Sequence, residues 1–331
     1  MNKLFIIGNG FDLAHGLPTS YQHLMSWYEK DVMSKLQKST KFEDELFYIS
    51  TNTGSINNII SPPDSLHILM GRDLADCKSE LFQDLLYKYN DKNWVDIEYF
   101  YFEKLKEASQ SKSRDAKAGY LNDGFQNIQN LLIKYLNTLS YRGGIIPNVL
   151  ELFKPQEMVD RHLILNFNYT NTLNFYLEEL KPNPHIEVVN IHGELNNNEN
   201  PIIFGYGDQH DDGYTELENY NSNELLRFIK YPKYTLTDGF KRLSRFINSR
   251  REYEVYILGH SCGISDRTLL NEILENKYCD RVIIYYYPDK NDFLAKTTEL
   301  TRHFKNKINY LTKVQPFDPS LQFPQLTKHI Y

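Results

Sequence analysis

Four short polar stretches, each placed after an apolar run, carry the side chains with which this chain could do chemistry. The first is Gly8-Asn9-Gly10-Phe11-Asp12-Leu13-Ala14-His15-Gly16-Leu17-Pro18, which comes after the apolar Leu4 to Ile7. Glycines let a backbone come close to a phosphate, and a helix starting there supplies free N–H groups and the positive end of its dipole. A tight turn explains a single G-x-G equally well. The second stretch, Asn166-Phe167-Asn168-Tyr169-Thr170-Asn171, could also be a capped helix start and nothing more. In the third, His192-Gly193, the histidine sits at an expected strand tip, where such a residue is more often structural than catalytic. The fourth is Gly259-His260-Ser261-Cys262-Gly263, with Ser265-Asp266 expected to cap the next helix. Taken together, a glycine turn, an asparagine and a histidine suit cleavage at a ribose. Breaking an N-glycosidic bond passes through an oxocarbenium-like state, which needs the sugar held, a water positioned and a base near neutral pKa. Asparagine can orient hydroxyls and water; histidine can accept the proton.

Those stretches need a scaffold that brings them to one place. Short apolar runs predict strands at Leu4–Ile7, His162–Leu165, Glu187–Ile191, Ile202–Phe204, Tyr253–Leu258, Val282–Tyr287 and Ile308–Leu311. Helical spacing falls between several of them, at Leu225–Ile229, Phe240–Ile247 and Leu269–Leu274. Alternating strands and helices predict an α/β fold, a Rossmann-like, mostly parallel sheet with helices on both faces. From Tyr21 to about Arg161 the pattern is mainly helical, interrupted by a loop at Thr51 to Asp64 containing Gly54 and Pro62-Pro63. The expected organisation is therefore a nucleotide-binding domain of residues 1–21 and 161–331, with a helical insertion of residues 22–160 between its parts. In doubly wound sheets ligands bind at the carboxyl ends of the strands, which is where all four polar stretches fall.

Composition narrows the function classes. The chain has 331 residues, 37 basic against 43 acidic side chains and a formal charge of −6. That balance argues against a protein that coats nucleic acid or an anionic membrane. No apolar run approaches the roughly 18 residues of a membrane span, and the apolar stretch near Met1 is too short for a signal sequence. Cys77, Cys262 and Cys279 are too scattered for a disulfide framework or a four-cysteine zinc site, which fits a reducing cytoplasm. No metal is expected.

The opening GNGFDLAHGLPTSY, Gly8 to Tyr21, resembles the hallmark of the bacteriophage abortive infection AbiH family, and Trp94 to Glu98, Asn168-Tyr169-Thr170, His192-Gly193 and Gly259-His260-Ser261 look like that family as well. More distantly, the strand-end motifs are similar to those of sirtuin-like NAD-binding proteins. There a glycine-rich loop ending in proline matches Gly8 to Pro18, an asparagine motif matches Phe167 to Thr170, a catalytic histidine matches His192, and a glycine–serine loop matches Gly259 to Ser261. The resemblance implies that Asn168 and His192 carry catalysis, and that Gly8, Asn9, Gly10, Phe11, Asp12, Gly16, Pro18, Tyr169, Gly259, His260, Ser261 and Asp266 line a bound NAD, with Ser261 on the adenosine ribose. It further implies a phage-defence role and NAD as substrate or ligand. An unregulated NADase would be toxic, so its activity is expected to be held off until a phage-derived trigger arrives, and the position of the insertion makes it the expected place for an oligomer contact or a gate. Asp12 stands where sirtuins have serine, and a carboxylate beside a diphosphate is repulsive unless it binds hydroxyls or a cation. Sirtuin zinc cysteines and the aspartate-phenylalanine-arginine after Pro18 are both missing, so NAD hydrolysis is implied rather than protein deacylation.

Three rival readings remain. Gly259 to Gly263 is literally G-x-S-x-G after a strand, the form of a hydrolase nucleophile elbow, with Asp289 and His303 as possible triad partners downstream. Asp208, His210, Asp211 and Asp212 could hold a divalent ion, although their contiguity suits a solvated loop better. The same crevice could also bind NAD or ADP-ribose as a non-catalytic sensor acting through a partner. Asp96 and Glu98, two apart on a helix, point to different faces and make a poor carboxylate pair, and Cys262 reads as packing.

Overall fold

Runs such as Leu4-Phe5-Ile6-Ile7 and Leu163-Ile164-Leu165 have no polar side, as expected of strands covered on both faces. The computed structural model describes residues 1–50, 65–88, 94–141 and 143–326, so the loop expected at Thr51 to Asp64 lies outside the described residues. Its strands are β1 (Asn2–Ile7), β2 (Lys41–Glu43), β3 (Phe47–Ser50), β4 (Ala75–Cys77), β5 (His162–Asn166), β6 (Ile186–Asn190), β7 (Tyr253–Leu258) and β8 (Cys279–Tyr285). Five of them form one parallel sheet in the order β6-β5-β1-β7-β8. The register sets Ile7 beside both Asn166 and Leu258, and Asn166 beside Asn190, so the turns leaving four strands start level with one another. The chain builds outward from β1 to β5 and β6 on one side, then to β7 and β8 on the other. The β1 end is thus the point at which the winding reverses, where such sheets open a ligand crevice.

Successive residues of β1 point to opposite faces. Leu4 and Ile6 pack with Leu243 and Phe246 of the helix Gly239–Ile247 and with Leu269, Ile273 and Leu274 of the helix Arg267–Leu274. Phe5 and Ile7 pack with Phe11, Ile146, Val149, Phe153, Leu173 and Tyr176. Each such fully buried side chain contributes roughly 1.5–3 kcal/mol of hydrophobic stabilisation. The α/β expectation is met, with helices on both faces.

The chain divides into two compact units, one of Met1–Pro18, Leu139–Tyr214 and Ile229–Tyr331, the other of Thr19–Thr138 and Thr215–Phe228. Residues 139–160, which the helical spacing assigns to the insertion, contribute Ile146, Val149 and Phe153 to the core beneath the sheet. The second unit contains the helices Tyr21–Leu36, Glu80–Lys88, Trp94–Ser109 and Arg114–Leu136, and within it Asn122 on the longest helix donates to the Glu224 carbonyl at 2.8 Å. Ser20 caps the first of these helices by accepting from the His23 amide, and the Trp94 indole donates to the Thr19 carbonyl at 2.9 Å. This unit also holds an antiparallel sheet, β2-β3-β4, that the helical reading of the segment overlooked. Strands of three or four residues are too short for a period of two to stand out.

Two expected strands fail. Ile202–Phe204 is irregular, tied to the turn after β6 by the Ile203 amide donating to the His192 carbonyl at 2.8 Å. Ile308–Leu311 lies in the helix Lys307–Lys313 with both apolar side chains exposed, an i, i+3 spacing misread as a short apolar run. Among the described residues, no helix is long and apolar enough to cross a membrane.

Candidate active site

The first functional stretch is built by two turns lying against each other. β1 passes through Gly8 into a helix of only six residues, Asn9–Ala14, and β7 passes through Gly259 into His260. The Gly10 amide donates to the Gly259 carbonyl at 2.8 Å, and the Gly8 amide to the Leu258 carbonyl at 3.2 Å. A Cβ on Gly8 would stand 2.7 Å from His260 Cα, and one on Gly259 2.2 Å from the Phe11 nitrogen. Gly259 also has φ of +72°, a left-handed conformation that costs other residues energy. The glycines therefore serve chain-on-chain contact. The Gly10 and Phe11 amides are both used inside the protein, the latter on the Gly8 carbonyl at 2.8 Å, so the turn lacks those two as free phosphate donors. Phe11 is a core residue, its ring 4.4 Å from that of His15 and 5.6 Å from Tyr176. Gly16, exposed with φ of +79°, ends the short helix, and Pro18 comes two residues later, half-buried.

Asp12 projects from that helix into the sheet edge and is 2% exposed. One carboxylate oxygen, Oδ2, accepts from the Thr170 hydroxyl at 2.6 Å; the other, Oδ1, is buried and has no hydrogen-bond partner. Burial pushes this carboxyl up from 3.8 to about 6, against the opposing pull of the Thr170 hydrogen bond and of the nearby polar side chains of Thr172 and Asn168. Asn168 is held from both sides. Its side-chain amide donates to the Gly8 carbonyl at 3.1 Å, and its backbone amide donates to Asn166 Oδ1 at 3.1 Å. Asn166 in turn donates to Asn190 Oδ1 at 2.9 Å, linking the ends of β5 and β6.

A second carboxylate, Asp266, gathers the remaining residues. It occupies the N-cap position of the helix Arg267–Leu274, yet its side chain makes no cap bond, which corrects the capping role expected of it. Lys230, with no exposed surface, donates to Asp266 Oδ1 at 2.8 Å. His192 Nε2 lies 3.2 Å from the same oxygen, and His260 Nε2 lies 3.6 Å from Oδ2. Burial alone would raise this carboxyl, but Lys230 and then His192 outweigh it and hold Asp266 well below the usual carboxylate range. His192 is driven the other way. Burial first, then the Lys230 charge, lowers its pKa to about 4, so the imidazole is neutral at pH 7. With Nε2–H turned toward the carboxylate, Nδ1 is its acceptor nitrogen. Tyr234 stacks on the ring at 6.3 Å, with its hydroxyl 3.3 Å from Nε2. His260 accepts the Cys262 amide at Nδ1, 2.9 Å away, and so also carries its proton on the side of Asp266.

The Phe167 ring joins the two histidines, edge-on to His192 at 4.8 Å and to His260 at 4.4 Å, and Asn168 is the next residue. Asp12, Asn168, His192, His260 and Asp266 are therefore connected through Thr170, Gly8 and Phe167 at one sheet edge. Ser261 is exposed beside them, and Tyr169 is half-buried with its hydroxyl donating to the Ile203 carbonyl at 3.2 Å. Sequence reading missed Lys230, Tyr234 and the anchoring role of Thr170. The one hint was a lysine directly after the apolar Phe228-Ile229.

The hydrolase constellation is not assembled. His303 is buried with Nε2 bound to the Cys262 carbonyl at 2.7 Å, and Asp289 is exposed and caps the helix Lys290–Thr301 by accepting from the Asn291 amide. Gly263 leads into a short 3-10 turn, Ile264–Asp266, rather than straight into an α-helix. Asp208, expected in a solvated loop, is instead buried and ion-paired with Arg267 at 2.8 Å. Cys262 is buried, and its thiol is pushed up to about 12 by burial, as a packing residue should be. Among the described residues no group of three or more His, Cys, Asp or Glu is placed to hold a metal ion.

The family model for bacteriophage abortive infection AbiH matches residues 4–287, a span that includes every residue of this site, most of β1 and the other four strands of the parallel sheet. No curated protein sequence matches the chain.

Proposed function

The chain belongs to the bacteriophage abortive infection AbiH family and its role is phage defence; from that premise we propose that it acts by hydrolysing NAD, or a related nucleotide, at the N-glycosidic bond. One observation carries the reading: a buried carboxylate oxygen with no partner, Asp12 Oδ1, stands at the same strand ends as Asn168 and a neutral His192. A sugar with free hydroxyls and a nearby water supplies the donors such a site lacks. The sugar end of NAD therefore fits the residues present. The diphosphate fits less well at the β1 turn, whose Gly10 and Phe11 amides are already engaged.

In this reading Asn168 orients the sugar and the attacking water through its side-chain carbonyl, its amide being fixed on Gly8. His192 accepts a substrate hydroxyl at Nδ1, and Asp266, shared with Lys230, fixes its tautomer and ring plane. Ser261 and the half-buried Asn9 and Gly10 form the rim against which the rest of the nucleotide would lie. The experiment is incubation of the purified chain with NAD and chromatographic detection of free nicotinamide. Asn168→Ala and His192→Ala are each expected to lower turnover at least about 100-fold, the scale for losing a positioned polar or acid–base group. Normal turnover in both removes these assignments. NAD that binds and stays intact would make the site a sensor instead.

A further inference from the structure

Resting on that reading, we propose that Asp12 is the group that takes the proton from the attacking water, while His192 binds the substrate without exchanging a proton. The geometry separates the two candidates. His192 directs one nitrogen at Asp266, whose carboxylate already balances the buried Lys230 ammonium, and Tyr234 lies over its ring. Asp12 has one oxygen fixed by Thr170 and a second that makes no hydrogen bond, with the Asn168 side chain close enough to act on the carboxyl. A base must have a lone pair free to face the water it deprotonates. Asp12 Oδ1 has no hydrogen-bond partner, whereas Asp266 is held by Lys230 and His192 and Asp208 by Arg267.

The step balances without any further reactant. Water oxygen bonds to the anomeric carbon as the carbon–nitrogen bond breaks, and that electron pair neutralises the departing pyridinium ring. The water proton passes to Asp12 Oδ1 and from there to solvent. Since the leaving group needs no proton, one carboxylate is enough.

The groups facing Asp12 are few. Thr170, Thr172 and Asn168 are uncharged, the Tyr141 phenol lies within its field, and the His15 ring is engaged by the Phe11 carbonyl and the Tyr176 hydroxyl. The carboxyl lies near 6, whereas His192 lies near 4, so the acid side of the rate profile reports which of them must be unprotonated.

The test uses the full chain with NAD as the probe, monitoring nicotinamide release from pH 4 to pH 8. The wild type is expected to lose kcat/KM as pH falls through about 6. Asp12→Asn is expected to lower kcat at least about 100-fold with KM changed little, and to melt no earlier than the wild type at pH 7. Thr170→Val, which removes a donor from the charged form, should move the acid limb to higher pH. A limb that falls near 4, a limb unmoved by Thr170→Val, or an Asp12→Asn chain that turns over normally each overturns the role of Asp12 while leaving NAD hydrolysis standing. A wild type that releases no nicotinamide overturns both.

Discussion

Asp12 and Asp266 are both buried carboxylates at the carboxyl edge of one parallel sheet, and they titrate in opposite directions. The desolvation problem is the same for each. What differs is company. Asp266 has the Lys230 ammonium at 2.8 Å and two imidazoles, whereas Asp12 has one threonine hydroxyl and an oxygen with no partner. Where two carboxylates of one site are pushed apart in this way, the one held low is built to stay charged and the one held high is able to exchange a proton. The contrast also explains why His192 is neutral: the carboxylate it faces is already balanced, so the imidazole gains little by charging and loses its hydration.

The comparison breaks most visibly at Lys230. Lys230→Met should cost about 3–5 kcal/mol in urea unfolding, because it strands a buried carboxylate. The same variant should raise the His192 pKa, since the Lys230 charge is among the causes that lower it, and an NMR titration of the imidazole reads this. A loss under about 1 kcal/mol would mean that Asp266 does not depend on its cation.

Asp12→Asn should act with the opposite sign. A carboxyl raised from 3.8 to about 6 is one that the folded state prefers protonated. Its charged form therefore weakens the fold fully above about 6 and not at all below 3.8. The variant is expected to be more stable than the wild type at pH 7 by roughly 2–3 kcal/mol, with the advantage vanishing between pH 6 and pH 4 as the pH falls. Equal melting temperatures across that range would show that Asp12 is not under strain.

The smallest effect belongs to Asp289, an exposed aspartate whose only described duty is a helix cap. Asp289→Ala should cost about 1 kcal/mol and leave nicotinamide release unchanged. A large loss of activity there would revive a triad with His303 and Ser261.

Much of this edge was legible from the chain alone. Runs of apolar residues flanked by Asn168, His192 and Gly259-His260 placed those groups correctly at strand ends, because a parallel sheet gathers the turns leaving its strands along one edge. The pairing of Lys230 with Asp266 was not legible. It joins residues 36 positions apart through a segment with no regular pattern, and a serine–aspartate pair before a helix reads locally as a cap. The glycines have a duty that their spacing does not reveal. Gly8 and Gly10 have the spacing of a phosphate loop, but the close approach they permit is to Gly259 and His260, which no local pattern can announce. In the second unit, β2, β3 and β4 lay hidden among helical spacings because each is only three or four residues long.

The turns after β1 and β7 are in direct contact, the Gly10 amide on the Gly259 carbonyl and Gly8 against His260, so the backbone that carries Asp12 is tied to the backbone that carries His260. Variation at the half-buried Asn9 or the exposed Ser261 can then reshape the rim without breaking that backbone contact. The edge is thus a fixed chassis on which members of the family could diverge at the rim alone.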